Sequence, residues 1–369
     1  MKYEDRPFIA IWETTQACDL VCQHCRACAQ PERDRDELST SEGFALLRTF
    51  AEAKVPLVVL TGGDPAKRPD LVELVRYGVS LGVHLGLTPS ATPLVTEELL
   101  EQLVASGLSR LAISIDGPDA ETHDSFRGVH GSFAHATRIL DTAAKLSLRT
   151  QINTTVHAGT ILRLNEMAAL VRARGSVLWS VFYVVPTGRA EARMLPSAEA
   201  VEQSLHELAT IASNAPFALK TTAAPHYRRI LAERAKTTGS RPQHGTMGKL
   251  GERVNDGRGF LFVSHRGDVY PSGFLPIACG NVRRENPVDV YREHALFQGL
   301  RDSERLKGKC GVCKYRNLCG GSRGRAFALE GDPYASDSLC AYVPPEFVEQ
   351  RSARPRRSLE VIDDVRNSR

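Results

Sequence analysis

The chain has 369 residues, 42% hydrophobic and 24% charged, with a formal charge of +4, a composition that excludes a disordered chain and fits one large core or two domains. Outside the tail "RSARPRRSLEVIDDVRNSR" the basic residues are scattered, so neither the small excess nor its placement argues for nucleic acid. No apolar run approaches the ~18 to 20 residues of a membrane span, and "MKYEDRPFIAIWETT" has neither the basic leader nor the apolar stretch of a signal peptide, so a cytoplasmic protein is expected.

In chain order, "FIAIWET", "VPLVVLTGGD", "VHLGLTP", "SRLAISIDG", "LRTQINTTV" and "LWSVFYVVP" are short runs of branched and aromatic residues that predict six buried strands. The segments between them predict helices. "STSEGFALLRTFAEAK" opens on a capping box, Ser39 with Glu42, and places Phe44, Leu47 and Ala51 on one face. "TEELLEQLVASG" starts at a Thr cap and stops at Gly107, and "ILRLNEMAALVRARG" stops at Gly175. Strands alternating with helices imply a parallel sheet with right-handed crossovers. Such a sheet stays open or curls into a partial barrel, and in both cases its chemistry sits at the carboxyl ends of the strands.

After Pro186 the rhythm stops. "SAEAVEQSLHELATIASNAP" predicts one amphipathic helix and "AERAKTTGSRPQHGTMGKLGERVNDGRG" a Gly-rich linker, so 196–255 is expected to connect two parts of the chain. "FLFVSHRGDVYPSGF" predicts a β-hairpin turning at Arg266, Gly267 and Asp268. It opens a cysteine-rich stretch over 256–345, and 346–369 is expected as a charged, flexible tail.

The nine cysteines fall at the two ends. In a reducing compartment such thiols bind metal or react rather than forming structural disulfides. Cys18, Cys22 and Cys25 make C-x3-C-x2-C directly after the first strand. Three thiolates are one too few to close a zinc site or a four-iron four-sulfur cluster, which leaves an iron open to an outside chelator. Downstream, Cys310, Cys313 and Cys319 make C-x2-C-x5-C, and with Cys340 they can close either a cluster or a zinc site.

The triad is followed by "TGGDP" (Thr61 to Pro65) after the second strand, "AISIDGP" at the end of the fourth, and "HDSFRG" with Arg127. This order resembles the radical S-adenosylmethionine enzymes over most of the chain. The resemblance implies an α/β fold, a partial (β/α)6 TIM-like barrel over 1–195, followed by a small cysteine-rich α+β extension with a β-hairpin. It implies a 4Fe-4S cluster on Cys18, Cys22 and Cys25 that binds S-adenosylmethionine. Thr61, Gly62, Gly63 and Asp64 are expected at the methionine amino group, the glycines because they let backbone approach the ligand. Ser114 and Asp116 are expected at the ribose or methionine part, Arg127 at the carboxylate, and Asn153 as a further polar contact. His24 is expected to pack against cluster or adenine, and Cys28 to be a small residue near the site, with a redox thiol as the alternative.

The second cysteine set resembles the SPASM extension, which favours an auxiliary 4Fe-4S cluster on Cys310, Cys313, Cys319 and Cys340 over structural zinc. Ser272, and Ser322 or Arg323, stand where a full extension carries cysteine. One auxiliary cluster is therefore expected, and Cys279 is read as a buried thiol or the lone ligand of a degenerate second cluster.

The implied activity is reductive cleavage of S-adenosylmethionine to a 5'-deoxyadenosyl radical that takes hydrogen from a substrate C–H bond, an oxidoreductase supplied by an external donor such as flavodoxin or ferredoxin. No catalytic acid or base is assigned, because hydrogen abstraction needs none. "HCRAC" and the last cysteine run look most like the branch that modifies tetrapyrrole side chains in haem d1 and alternative haem biosynthesis. Peptide and quinone-cofactor maturases are the near alternative, although the peptide-recognition domain they usually carry finds no room before the first strand. A cluster protein without turnover and a zinc-stabilised module are the other readings. Arg189, Arg193, His226 and Tyr227 are expected as solvated surface, with an acidic substrate as the sharper alternative.

Overall fold

The six expected strands form as β1 (Ile9–Glu13), β2 (Leu57–Thr61), β3 (Leu85–Leu87), β4 (Arg110–Ser114), β5 (Thr150–Val156) and β6 (Leu178–Tyr183). The computed structural model describes residues 3–238 and 254–353. Neighbouring strands from β1 to β6 pair in parallel. The crossovers are carried by α1 (Thr40–Glu52), α2 (Leu71–Ser80), α3 (Glu97–Ala105), α4 (Ala120–Arg127), α5 (Ser132–Lys145) and α6 (Leu164–Ala173). Parallel strands need such crossovers because a tight turn cannot return the chain to the same end of the sheet.

The local signals act where they stand. Ser39 and Glu42 form the reciprocal capping box of α1, and the Thr96 side chain accepts from the Leu99 N–H at the start of α3. The buried face of α1 is Gly43, Leu46, Leu47 and Phe50; Phe44 and Ala51 lie at its margin, partly buried.

Alternation along the strands sorts two environments. Trp12, Leu60, Leu87, Leu111, Ile113, Ile152, Trp179 and Val181 are buried in the single large core that the helices cover. The intervening residues face the concave side. There Ser114, Asn153 and Ser180 lie opposite one another across β4, β5 and β6, a polar row inside an otherwise apolar sheet.

The sheet is larger than six strands. Within the expected connecting region, β7 (Ala218–Thr222) pairs in parallel with β6 and extends the concave row with Lys220 opposite Ser180. Only Leu219 of this strand enters the core, which is why "FALKTT" gave little strand signal. α7 (Ala198–Asn214) and α8 (Tyr227–Thr238) flank it. The hairpin forms from β8 (Phe260–Val263) and β9 (Asp268–Tyr270), with β10 (Gly280–Asn281) beside it. It is not a free-standing unit, because β8 pairs in parallel with β1 and gives one sheet in the order β10-β9-β8-β1-β2-β3-β4-β5-β6-β7.

The chain then continues through α9 (Pro287–Glu293), α10 (Ala295–Arg301), α11 (Gly308–Gly311), α12 (Arg323–Glu330) and α13 (Pro345–Ala353). The first part of the expected tail is thus helical. Residues 354–369, and 239–253 of the expected linker, lie outside the described residues. Among the described residues, no helix is long and apolar enough to cross a membrane.

Candidate functional site

The loop that leaves β1 carries the first thiols over the carboxyl ends of the strands. Cys18 and Cys22 pack with Leu20 and Ala29 in a small apolar group of their own, with Cys25 and Val129 against it. Donors point at the sulfurs. The Leu20 N–H reaches Cys18 Sγ at 3.4 Å, the Ala29 N–H reaches Cys25 Sγ at 3.4 Å, and Arg127 Nη1 reaches Cys22 Sγ at 3.8 Å.

Burial pushes the Cys18 and Cys22 thiols up. Metal cations reverse that balance, since ligating sulfur must be thiolate. Among the described residues no three His, Cys, Asp or Glu side chains converge as a single ion demands. Three thiols sharing one apolar group, each with a donor, suit the separate corners of a cubane better than one ion. Cys28 stands outside the group; its backbone is left-handed, φ 48°, and its N–H donates to the Cys25 carbonyl at 3.3 Å.

The turn after β2 is stitched to this loop. The Gly63 N–H donates to Thr15 O at 2.7 Å and the Asp64 N–H to Ala17 O at 2.6 Å. A Cβ on Gly63 would lie 2.4 Å from Ala17 O and 2.6 Å from Gln16 O. The close approach that requires glycine here is therefore to the thiol loop, not to a ligand alone. Asp64 is buried; its carboxylate accepts from Thr92 Oγ1 at 2.6 Å, the Ser90 N–H at 3.2 Å and the Ala66 N–H at 3.1 Å. Thr61 O and Gly63 O accept from Thr14 Oγ1 and Ser90 Oγ at 3.0 and 2.7 Å.

Beyond β4, Asp116 is buried and centres a charged knot. Arg127 Nη2 is 2.6 Å from its Oδ2, the Thr155 N–H donates to its Oδ1 at 2.6 Å, and His24 Nε2 lies at 3.8 Å. Burial opposes the Asp116 charge, but the Arg127 guanidinium outweighs it and holds the carboxyl below its usual range. Burial also pushes His24 down to about 3 and His123 to about 4, so both rings stay neutral. The His24 ring stacks on Phe126 at 4.2 Å, and Phe126 on His157 at 4.3 Å. Arg127 thus bridges Asp116 and the Cys22 sulfur. Ser114, half-buried at the end of β4, and Asn153, buried with its Oδ1 accepting from Gln151 Nε2 at 2.7 Å, sit on the concave row below.

At the other end of the chain, Cys310, Cys313, Cys319 and Cys340 line one small cavity with Arg229, Lys309 and Tyr342. N–H groups of Asp337, Tyr315 and Gly321 reach the sulfurs of Cys310, Cys313 and Cys319 at 3.5, 3.4 and 3.4 Å. Burial raises Cys313, pushes Cys340 up to about 11, and raises Cys319 further still. Four thiols, amide donors and a cationic rim fit a closed anionic cluster.

Residues 12–170 match the Radical SAM superfamily. Over 337 residues the chain is 40% identical to the AdoMet-dependent heme synthase of Oleidesulfovibrio alaskensis, covering 90% of this chain and 87% of that one. The chain belongs to the radical SAM superfamily. It is also similar to the mycofactocin maturase MftC of Mycobacterium ulcerans, 30% identical over 379 residues that cover 99% and 95% of the two chains. Its fold is that of Streptococcus suis SuiB bound to S-adenosylmethionine, with a TM-score of 0.73 at 17% identity, over 92% of this chain and 78% of that one. Membership makes this protein an enzyme with a 4Fe-4S cluster and S-adenosylmethionine.

In this radical SAM protein a hydrogen-bonded network joins Ser272 to Arg323. The Ser272 hydroxyl donates to Asp256, whose other oxygen accepts the Arg323 and Gly324 N–H groups at 3.0 and 3.1 Å. Ser322 caps α12. Cys279 lies in the main core, its thiol donating to Ile277 O at 3.4 Å and its pKa pushed up to about 12 by burial.

Two expectations about surface residues are corrected. His226 and Tyr227 are buried: Tyr227 at the start of α8 packs into the main core, and His226 just before it lies 3.8 Å from Asp337 of the extension. Arg193 is exposed and paired with Glu191 at 2.6 Å, whereas Arg189 is half-buried, with its backbone N–H on Cys25 O at 3.0 Å.

Sequence reading missed the contacts that bring remote segments together. Glu13, at the end of β1, pairs with Arg26 of the thiol loop and with His265 of the hairpin at 2.8 Å. Arg26 also lies over the Phe262 ring at 4.5 Å. A lone acid closing an apolar strand was the available signal for Glu13.

Proposed function

We propose that this protein is a radical SAM oxidoreductase that oxidatively modifies a side chain of a tetrapyrrole. The similarity to an AdoMet-dependent heme synthase along 90% of the chain is the observation that carries this reading. Cys18, Cys22 and Cys25 would hold the S-adenosylmethionine cluster, and Cys310, Cys313, Cys319 and Cys340 one auxiliary cluster. When bound, cluster and S-adenosylmethionine supply a 5'-deoxyadenosyl radical that removes hydrogen from a substrate C–H bond.

The remaining roles belong to the protein. The turn from Thr61 to Asp64 aligns the thiol loop through its backbone bonds and presents the cofactor's amino end. Asp116, Arg127 and Ser114 shape the polar wall beside the thiols, and Asn153 continues it along the concave row. The His24–Phe126–His157 stack offers a flat neutral surface against which an adenine can lie. The substrate is aligned in the concave side, where the covering extension excludes water. A fully thiol-closed auxiliary site has no corner for substrate, so it serves as electron acceptor or relay, with an outside donor reducing the first site.

Anaerobic reconstitution with S-adenosylmethionine, reductant and an iron porphyrin tests the reading: 5'-deoxyadenosine and a porphyrin product of altered mass are expected together. The MftC similarity favours a peptide substrate as second reading; cofactor cleavage coupled to a peptide and to no porphyrin would replace the first with it.

A further inference from the structure

Cations around the thiol loop and on the strand row beside Ser180 fall into two kinds. Arg26 is neutralised by Glu13 and Arg127 by Asp116. Arg189 and Lys220 are not neutralised by any described residue. Nε and Nη2 of Arg189 are buried with no hydrogen-bond partner, although its backbone is fixed against the thiol loop. Gly188, just before it, approaches so closely that a Cβ there would lie 2.4 Å from Cys25 O.

Lys220 occupies the concave row, opposite Ser180, whose buried Oγ also lacks a partner. No carboxylate acts on Lys220; burial and the like charge of Arg110 pull its amine down to about 8. Buried cationic groups without a counter-charge are costly to keep, and the cost disappears when an anion arrives with the substrate. Between the two cations runs β6. On its concave side, two positions past Ser180, Phe182 faces Phe274 at 6.4 Å, an aromatic wall suited to a flat ring system.

We infer that Arg189 and Lys220 anchor two carboxylates of the substrate, Arg189 near the thiol loop and Lys220 deeper along β7, with the flat body of the molecule against Phe182. The inference rests on the tetrapyrrole reading and deepens it: the anchored groups are propionates that survive the reaction, since a group being transformed cannot hold the substrate still.

Iron protoporphyrin IX, which carries two propionates, and its dimethyl ester are the probes. Each is titrated into the anaerobically reconstituted full chain and followed at the porphyrin Soret band, with iron content confirming that each variant is loaded. Arg189→Leu and Lys220→Met should each weaken binding of the diacid by about tenfold or more. Arg189→Lys and Lys220→Arg should restore part of the loss, and ester binding should not respond to any of the four. Diacid affinity unchanged in both truncations, or an equal loss with the ester, would overturn the anchoring alone. A loss of S-adenosylmethionine affinity in Arg189→Leu with diacid binding intact would assign that guanidinium to the cofactor carboxylate and likewise overturn it. A wild-type chain that binds neither porphyrin would overturn the tetrapyrrole reading, and the anchoring with it.

Discussion

Arg325 donates through Nε to Asp337 Oδ1 at 3.0 Å, and both side chains are completely buried. The same guanidinium reaches Val184 O at 3.3 Å, just past β6, and Ala223 O, just past β7. Asp337 in turn accepts the Ser322 N–H at 2.8 Å, and its own N–H lies 3.5 Å from Cys310 Sγ. One ion pair therefore fastens the auxiliary thiols to the carboxyl ends of the last two parallel strands.

Removing Arg325 leaves a buried carboxylate without its counter-charge, which typically costs about 3 to 5 kcal/mol. Arg325→Met should therefore unfold at lower denaturant, with iron lost from the auxiliary site ahead of the first. Burial opposes the Asp337 charge, but Arg325 and His226 hold the carboxyl far below its ordinary value. The wild-type chain should consequently keep this contribution above the ordinary carboxyl pKa and lose it as pH falls through the depressed one. Denaturant melts of both chains at descending pH check the sign.

Iron counting separates the two thiol sets. Two four-iron clusters give about eight irons per chain. Cys18→Ala should leave about four and abolish S-adenosylmethionine cleavage, whereas Cys319→Ala should leave about four and retain cleavage without product. Cys279→Ala should keep the full count, because that thiol is bonded to Ile277 O inside the main core.

Gly63 has no room for a side chain, since a Cβ would stand 2.4 Å from Ala17 O. That obstacle is backbone and cannot rotate away. Gly63→Ala should push the thiol loop off the turn, lowering iron incorporation at the first site while the auxiliary iron stays, as read by iron analysis and electron paramagnetic resonance of the reduced protein.

The Glu13–His265 contact makes attachment of the hairpin sensitive to pH. Burial lowers the His265 pKa, but the hydrogen bond to Glu13 and the charges of Glu13, Glu37 and Asp34 reverse this and raise it above 6.5. A base whose folded pKa is raised contributes stability that is complete below the ordinary value and is lost as pH climbs through the raised one. Melting temperature should fall as pH rises past the ordinary histidine value and through the raised one, and His265→Gln should flatten that slope.

Local chemistry made much of this protein readable. The six strand runs, the Ser39–Glu42 box and the Thr96 cap each act within a few residues, and the two cysteine spacings report their sites because ligands on one short loop are close by chain connectivity alone. β7 was not legible, since one core residue among polar ones carries no period. The burial of His226 and Tyr227 was equally hidden, because it depends on the core that Tyr227 joins and on Asp337, more than a hundred residues further on, beside His226.

By itself the sequence determined the parallel repeat, the three-thiol loop and the four-thiol set, all written in patterns shorter than a helix and its strand. The tertiary structure alone decided that β8 joins β1, that Arg127 is claimed by Asp116, and that Arg189 and Lys220 are left without a counter-charge. Pairings between residues up to hundreds of positions apart depend on how the sheet curls and what covers it, and no local spacing encodes that.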